Sequence, residues 1–122
     1  MRIVHGRAES AESEQRPATV SGEAWFDPVL PATDGTMITT VFFSPGARTF
    51  WHRHENGQIL QVLSGRGLIC TAGEQPRPIG AGDTVWVPPG ERHWHGAAPG
   101  SFMSHTAISL GTTRWEEEVA DE

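Results

Sequence analysis

The sequence predicts an all-β sandwich or barrel, and three observations carry that prediction. Glycine and proline punctuate the chain, 14 and 9 of them in 122 residues, and they fall between short apolar runs. Those runs are rich in Val, Ile, Thr, Phe and Trp, residues that fit a pleated, half-buried surface. No long stretch has a convincing 3.6-residue apolar period. The nearest exception is the acidic tail TTRWEEEVADE, read as one helical turn or as a strand extended against a partner.

Residues 1–19 are polar and charge-mixed, and read as an N-terminal arm that is flexible or pairs with a partner subunit. Residues 20–122 make the β domain. Its runs are VSGEAWF, MITTVFFS, ARTFWHRH, GQILQVLSG, RGLICTAG, TVWVPPG, RHWHGAA and FMSHTAISL. The first ends at Pro28 and Pro31, and the second lies between the turn dipeptides Asp34-Gly35 and Pro45-Gly46. Asn56-Gly57 closes the third, Gly65 the fourth and Gly73 the fifth. Gly80 and Gly82, then Pro88-Pro89-Gly90, frame the sixth, and Pro99-Gly100 separates the last two. No internal repeat interrupts the series.

A chain of 122 residues is most simply one domain. It buries enough surface to fold without disulfides or a structural metal, so a bound metal would serve chemistry. A net charge of −6 argues against a nucleic-acid groove and against a basic membrane patch. The single cysteine, Cys70, excludes a disulfide within the chain and any CxxC motif, and reads as a small buried hydrophobe. All nine basic residues are arginine, which excludes a lysine Schiff base and a Walker A loop. With no tyrosine there is no phenolic acid or base. The opening MRIVHGRAESAESEQRP lacks an apolar leader region, and no 18-residue apolar stretch follows, so the cytoplasm is the expected compartment.

The histidines raise the chemical question. His52 and His54 are two apart, so on a strand they face the same way, with Phe50 before them in the same parity. A turn through Glu55-Asn56-Gly57 would bring Gln58, Leu60 and Val62 alongside. His93 and His95 form a second such pair, and His105 sits in the last strong strand. A lone strand histidine is usually a hydrogen-bonded core or surface residue, and His5 in the arm has no functional case. The ordered set of HxH, Gln and a distant His after a Pro-Gly turn is much harder to obtain by accident. Buried polar side chains need a partner, and imidazole with an amide oxygen suits a first-row transition metal better than calcium or magnesium.

At these residues the chain resembles the cupins. Their first motif, G-x5-H-x-H-x3,4-E-x6-G, is matched by Gly46, His52, His54, Gln58 and Gly65. Their second, G-x5-P-x-G-x2-H-x3-N, is matched by Gly82, Pro88, Gly90 and His93. Gln58 replaces the usual glutamate, and Ala97 the final asparagine. The resemblance implies a double-stranded β-helix (jelly-roll) barrel that holds a divalent transition metal on His52, His54, Gln58 and His93. A neutral amide in place of a carboxylate would leave the ion its whole +2 charge, favouring Lewis-acid chemistry and anionic ligands while loosening its hold.

The segments PGARTFWHRHENGQ, GDTVWVPPGERHWHGAAP and MSHTAIS are most similar to the bacterial manganese-dependent hydroxynitrile lyases. That resemblance implies one metal per subunit, manganese first, with iron, nickel, zinc or copper as alternatives. It makes His105 the general base and places Thr39, Val41 and Ser109 in the pocket wall. Phe50 and Leu60, with Trp86 or Trp94, would complete an aryl-sized pocket for a small-molecule substrate, although tryptophans in a small barrel serve mainly packing. His95 is expected to orient a neighbour and not to ligate. A homodimer or homotetramer is implied as well, with Trp51 and Leu63 on its contact face. The rival readings are a cupin dioxygenase acting on a small phenolic or dicarbonyl substrate and a non-enzymatic small-molecule-binding cupin.

Overall fold

The computed structural model describes residues 1–120. β1 (Val20–Ser21), β2 (Ala24–Thr33) and β3 (Thr36–Phe43) come first, followed by β4 (Arg48–Thr49), β5 (His52–His54) and the long β6 (Gln58–Thr71). Next are β7 (Arg77–Gly80), β8 (Thr84–Val87), β9 (His93–Ala97), β10 (Met103–Leu110) and β11 (Thr113–Trp115). All pairings are antiparallel. One face runs β8-β6-β10-β3-β2, and the other carries β1-β4-β9-β6 with β7 on β6 and β5 between β9 and β11. Because β6 belongs to both faces, the strands form a nearly closed antiparallel barrel. Among the described residues no helix is long and apolar enough to cross a membrane.

The bend in β6 departs from the sequence expectation of two strands parted at Gly65. The strand is continuous, and Gly65 stays within it at φ +78°. Ser104 pairs with Ser64 but His105 with Val62, so Leu63 is an extra residue opposite β10. Such a bulge turns the strand and reverses which parity faces inward. Gln58, Leu60 and Val62 are buried before it, Gly67 and Ile69 after it. A Cβ on Gly65 would lie 2.0 Å from the Phe102 carbonyl oxygen, so this crossing requires glycine.

Two other elements were obscured by proline. β2 continues through Pro28 and Pro31, with register shifts at both, because it is the last strand of its face and a missing N–H is tolerated at an edge. β7 hides in EQPRPIG for the same reason. The first 19 residues run beside that edge: Glu14 and Phe26 exchange both backbone hydrogen bonds, and the Ala8 N–H donates to the Pro28 carbonyl. The acidic tail forms β11 and then irregular chain, with no helical turn through residue 120; its residues 121–122 lie outside the described residues.

β10 shows the strand period cleanly. Met103, His105, Ala107 and Ser109 are buried, and the residues between them are less so. Facing strands complete an apolar cluster of Val20, Ala24, Phe26, Val41, Phe43, Ala47, Val62, Ala97 and Met103. A smaller cluster joins Leu60, Ile69, Val87 and Ala107. Each fully buried large side chain, such as Phe43, contributes roughly 1.5–3 kcal/mol. On the outer surface Phe42 stacks on Phe102 at 5.5 Å, with Trp25 opposite Phe42 on β2. Leu63 is exposed on β6, whereas Trp51, between β4 and β5, lies under the Arg92 guanidinium at 4.3 Å.

Candidate metal centre

Pairing of distant strands assembles the histidines. His52 on β5 is directly opposite His93 on β9, and His95 follows two residues along β9. Gly57, at φ +100°, returns the chain so that β6 begins with Gln58, which pairs with Ser109 of β10. Four residues before Ser109 on β10, His105 is flanked by Val62 and Val41. His52, His54, Gln58, His93, His95 and His105 are all buried.

Their hydrogen bonds decide which nitrogen is available. His52 Nδ1 donates to the Phe50 carbonyl at 2.8 Å and His93 Nδ1 to the Glu91 carbonyl at 2.9 Å. A carbonyl can only accept, so in the neutral rings each Nε2 carries a lone pair. His54 Nδ1 is 3.0 Å from Thr113 Oγ1. His105 Nε2 is 3.0 Å from His95 Nδ1, and the His95 backbone N–H donates to Thr49 Oγ1. His54 Nε2, His95 Nε2 and His105 Nδ1 are buried with no partner. Unpaired buried nitrogens of this kind cost about 1–3 kcal/mol each.

The donor set fits a metal ion, and Gln58 supplies the test. Its amide nitrogen donates to Ser109 Oγ at 3.1 Å, which turns Oε1 toward His93 Nε2 at 3.2 Å. Both facing atoms carry lone pairs once Glu91 has taken the His93 proton donor. A cation beside them removes that conflict. In addition, His52, His93 and His95 each offer a nitrogen within 4.8 Å of the others'. Three buried histidines can therefore hold a metal.

Burial pushes the imidazoles toward the neutral form that ligation needs. It lowers His54 and His105 to about 4. His93 lies below its usual value, and His52 and His95 well below, through desolvation first and then neighbouring imidazoles in the last two. Between their unfolded value near 6.5 and about 4, the unfolded chain binds more protons than the folded one, so stability rises with pH in that window. Metal-free protein is expected to be fully stable above about pH 6.5 and to lose about 3 kcal/mol for each of His54 and His105 as the pH falls toward 4. Thermal melts of chelated protein from pH 7.5 to 4.5 check this. A flat midpoint would contradict neutral buried rings.

A cavity of about 90 Å³ opens on this cluster. Thr39, Val41 and Ser109 line it with His52, His54, Gln58, His95 and His105. Leu60 does not, since it packs in the smaller apolar cluster. Phe50 is also outside the wall: it lies between β4 and β5, where strand parity lapses, and its carbonyl orients His52. Trp86 is exposed and Trp94 is buried beneath Arg48. The aromatic wall is instead Phe26 and Trp115, the latter tilted 32° against the His52 ring at 4.5 Å.

Sequence reasoning missed Trp115, Thr113, Phe26, Met37 and Arg16 in this wall. Thr113 and Trp115 share a parity that could have been read as a strand, but the acidic run masked it. Glu116 explains their placement. Its carboxylate receives Arg92 at 2.7 Å and Arg53 at 2.9 Å, which hold it below the usual carboxylate range and fasten β11 over the histidines.

Residues 39–104 match the cupin domain family. An (R)-mandelonitrile lyase from Granulicella tundricola is 42% identical over 123 residues, covering 95% of this chain and 94% of its own. A cupin-like protein from Thermotoga maritima superposes with a TM-score of 0.82 at 32% identity, over 99% of this chain and 91% of that one. A predicted oxalate decarboxylase from the same organism gives 0.76 at 21% identity, over 91% and 100%, a likeness of fold alone. The jelly-roll architecture is common to these proteins.

Proposed function

The chain belongs to the cupin family, and from that premise we propose that it is a metal-dependent hydroxynitrile lyase, cleaving a cyanohydrin into an aldehyde and hydrogen cyanide. The observation that carries the reading is His105 Nδ1: buried, unpartnered and on a ring that lines the cavity beside the metal donors. The lyase relative aligned over nearly the whole chain supports the reaction class.

His52, His54, Gln58 and His93 would hold the ion, for which manganese is proposed. When bound, it supplies Lewis-acid polarisation that lowers the pKa of the substrate hydroxyl. His95 is left out for a reason of tautomers. One proton lies between His105 Nε2 and His95 Nδ1. If His105 is to act as a base at Nδ1, that proton belongs to its Nε2, and His95 then carries its own on Nε2 and cannot ligate. The base and the ligand set are thus chosen together.

His105 Nδ1 takes the hydroxyl proton. The bond between the carbinol and nitrile carbons breaks, its electron pair leaves with cyanide, and the former O–H pair becomes the second carbon–oxygen bond. The proton that His105 has taken then passes to the departing cyanide, which resets the ring. Phe26, Met37, Val41 and Trp115 provide an apolar wall that limits water.

The test is benzaldehyde release from mandelonitrile by manganese-loaded protein, beside the same sample stripped with chelator. Release is expected only from the loaded sample. Equal rates, with manganese shown to be bound, would sink the lyase reading and transfer the assignment to a dioxygenase or a binding cupin.

A further inference from the structure

Arg16 is the one formally charged side chain among the described residues that line the cavity, and no aspartate or glutamate shares the wall. It comes from the N-terminal arm and is held in place. The Thr19 backbone N–H and Oγ1 both donate to its carbonyl, at 3.0 and 3.3 Å. Two residues earlier, Glu14 is clamped to Phe26 by paired backbone bonds. Pro17 restricts the Arg16 backbone further. The guanidinium lies over the Phe26 ring, 4.4 Å from its centroid.

Its ion pair is weak. Glu14 Oε2 is 3.4 Å away, with the two side chains 33% and 56% exposed, so solvent screens the contact. Glu14 does not line the cavity. A planar guanidinium backed by an aromatic ring, engaged through Nη2 alone by the long, screened contact to Glu14, is suited to a two-point contact with a carboxylate. Phe26 pairs with Val41, and Val41 with His105. Two strand spacings therefore separate the Phe26 and His105 backbones, about 10 Å. A para-substituted aryl ring is shorter than that between its two substituent carbons, and the His105 imidazole and Arg16 guanidinium, which line the same cavity, would reach in from either end.

We propose that Arg16 is a specificity-determining residue that binds the carboxylate of an acidic aryl substrate, whose hydroxyl end reaches His105. The chemistry at that end rests on the lyase reading; the anion site does not. The experiment therefore has two readouts on manganese-loaded wild type, Arg16→Met and Arg16→Lys, each checked for an unchanged melting profile. One is the ratio of kcat/KM for 4-carboxymandelonitrile to that for mandelonitrile. The other is calorimetric binding of the non-reacting pair 4-hydroxymethylbenzoate and benzyl alcohol.

Wild type is expected to favour each carboxylated member by at least about tenfold. Arg16→Met should abolish the preference through KM and affinity, and Arg16→Lys, a charge without the fork, should keep part of it. If neither nitrile is cleaved but 4-hydroxymethylbenzoate still needs Arg16, the lyase reading fails and the anion site stands. If mandelonitrile is cleaved with no carboxylate preference, or with one that survives Arg16→Met, the Arg16 proposal is overturned alone.

Discussion

Replacing His105 by glutamine is expected to lower cyanohydrin cleavage by at least about a hundredfold, the usual span for losing a positioned base, with bound metal retained. Glutamine keeps a polar side chain of similar reach but cannot take a proton. In the native ring Nε2 faces His95 and Nδ1 has no partner, so the loss falls on one atom. Because the buried imidazole is lowered to about 4, its removal should flatten the fall in melting temperature between about pH 6.5 and 4. Turnover above a tenth of wild type, at full metal content, would place the base elsewhere.

The second large effect concerns the ion. His93→Ala is expected to abolish metal retention and turnover together. The lost ring is fixed by Glu91, is opposite His52 and faces Gln58 Oε1, so it lies at the centre of the donor set. The drop in affinity should exceed the roughly 10–100-fold that removing an outer partner of a ligand costs. His54→Ala and His95→Ala divide the two donor arrangements that the geometry allows. With His105 as base, His54→Ala loses metal and His95→Ala keeps it. Metal content by elemental analysis of dialysed protein decides. Loss on His95→Ala and retention on His54→Ala would favour the close trio of His52, His93 and His95 and would remove His105 Nδ1 as the base.

Much of the centre was legible because a strand is a local object. The two-residue period makes His52 and His54 neighbours on one face, and likewise His93 and His95. Asn56-Gly57 announces the turn that delivers Gln58. The same period fails where the chain leaves the sheet: Phe50 shares the parity of His52, yet it lies between β4 and β5 and contributes a carbonyl in place of its ring. It also fails at Leu63 and Gly65, where one extra residue reverses the inward parity of β6 without breaking the strand.

What the sequence alone determined is the all-β architecture, the cupin resemblance and the two same-face pairs His52/His54 and His93/His95, since each follows from spacing along a few consecutive residues. Only the tertiary structure decided which nitrogens are free, which side chains wall the cavity and where a charge enters it. Trp115 meets His52, Glu116 meets Arg92, and Arg16 meets Phe26 through pairing between separate segments. Such contacts are set by which strands find each other across the barrel, and no periodicity within one strand encodes its partner.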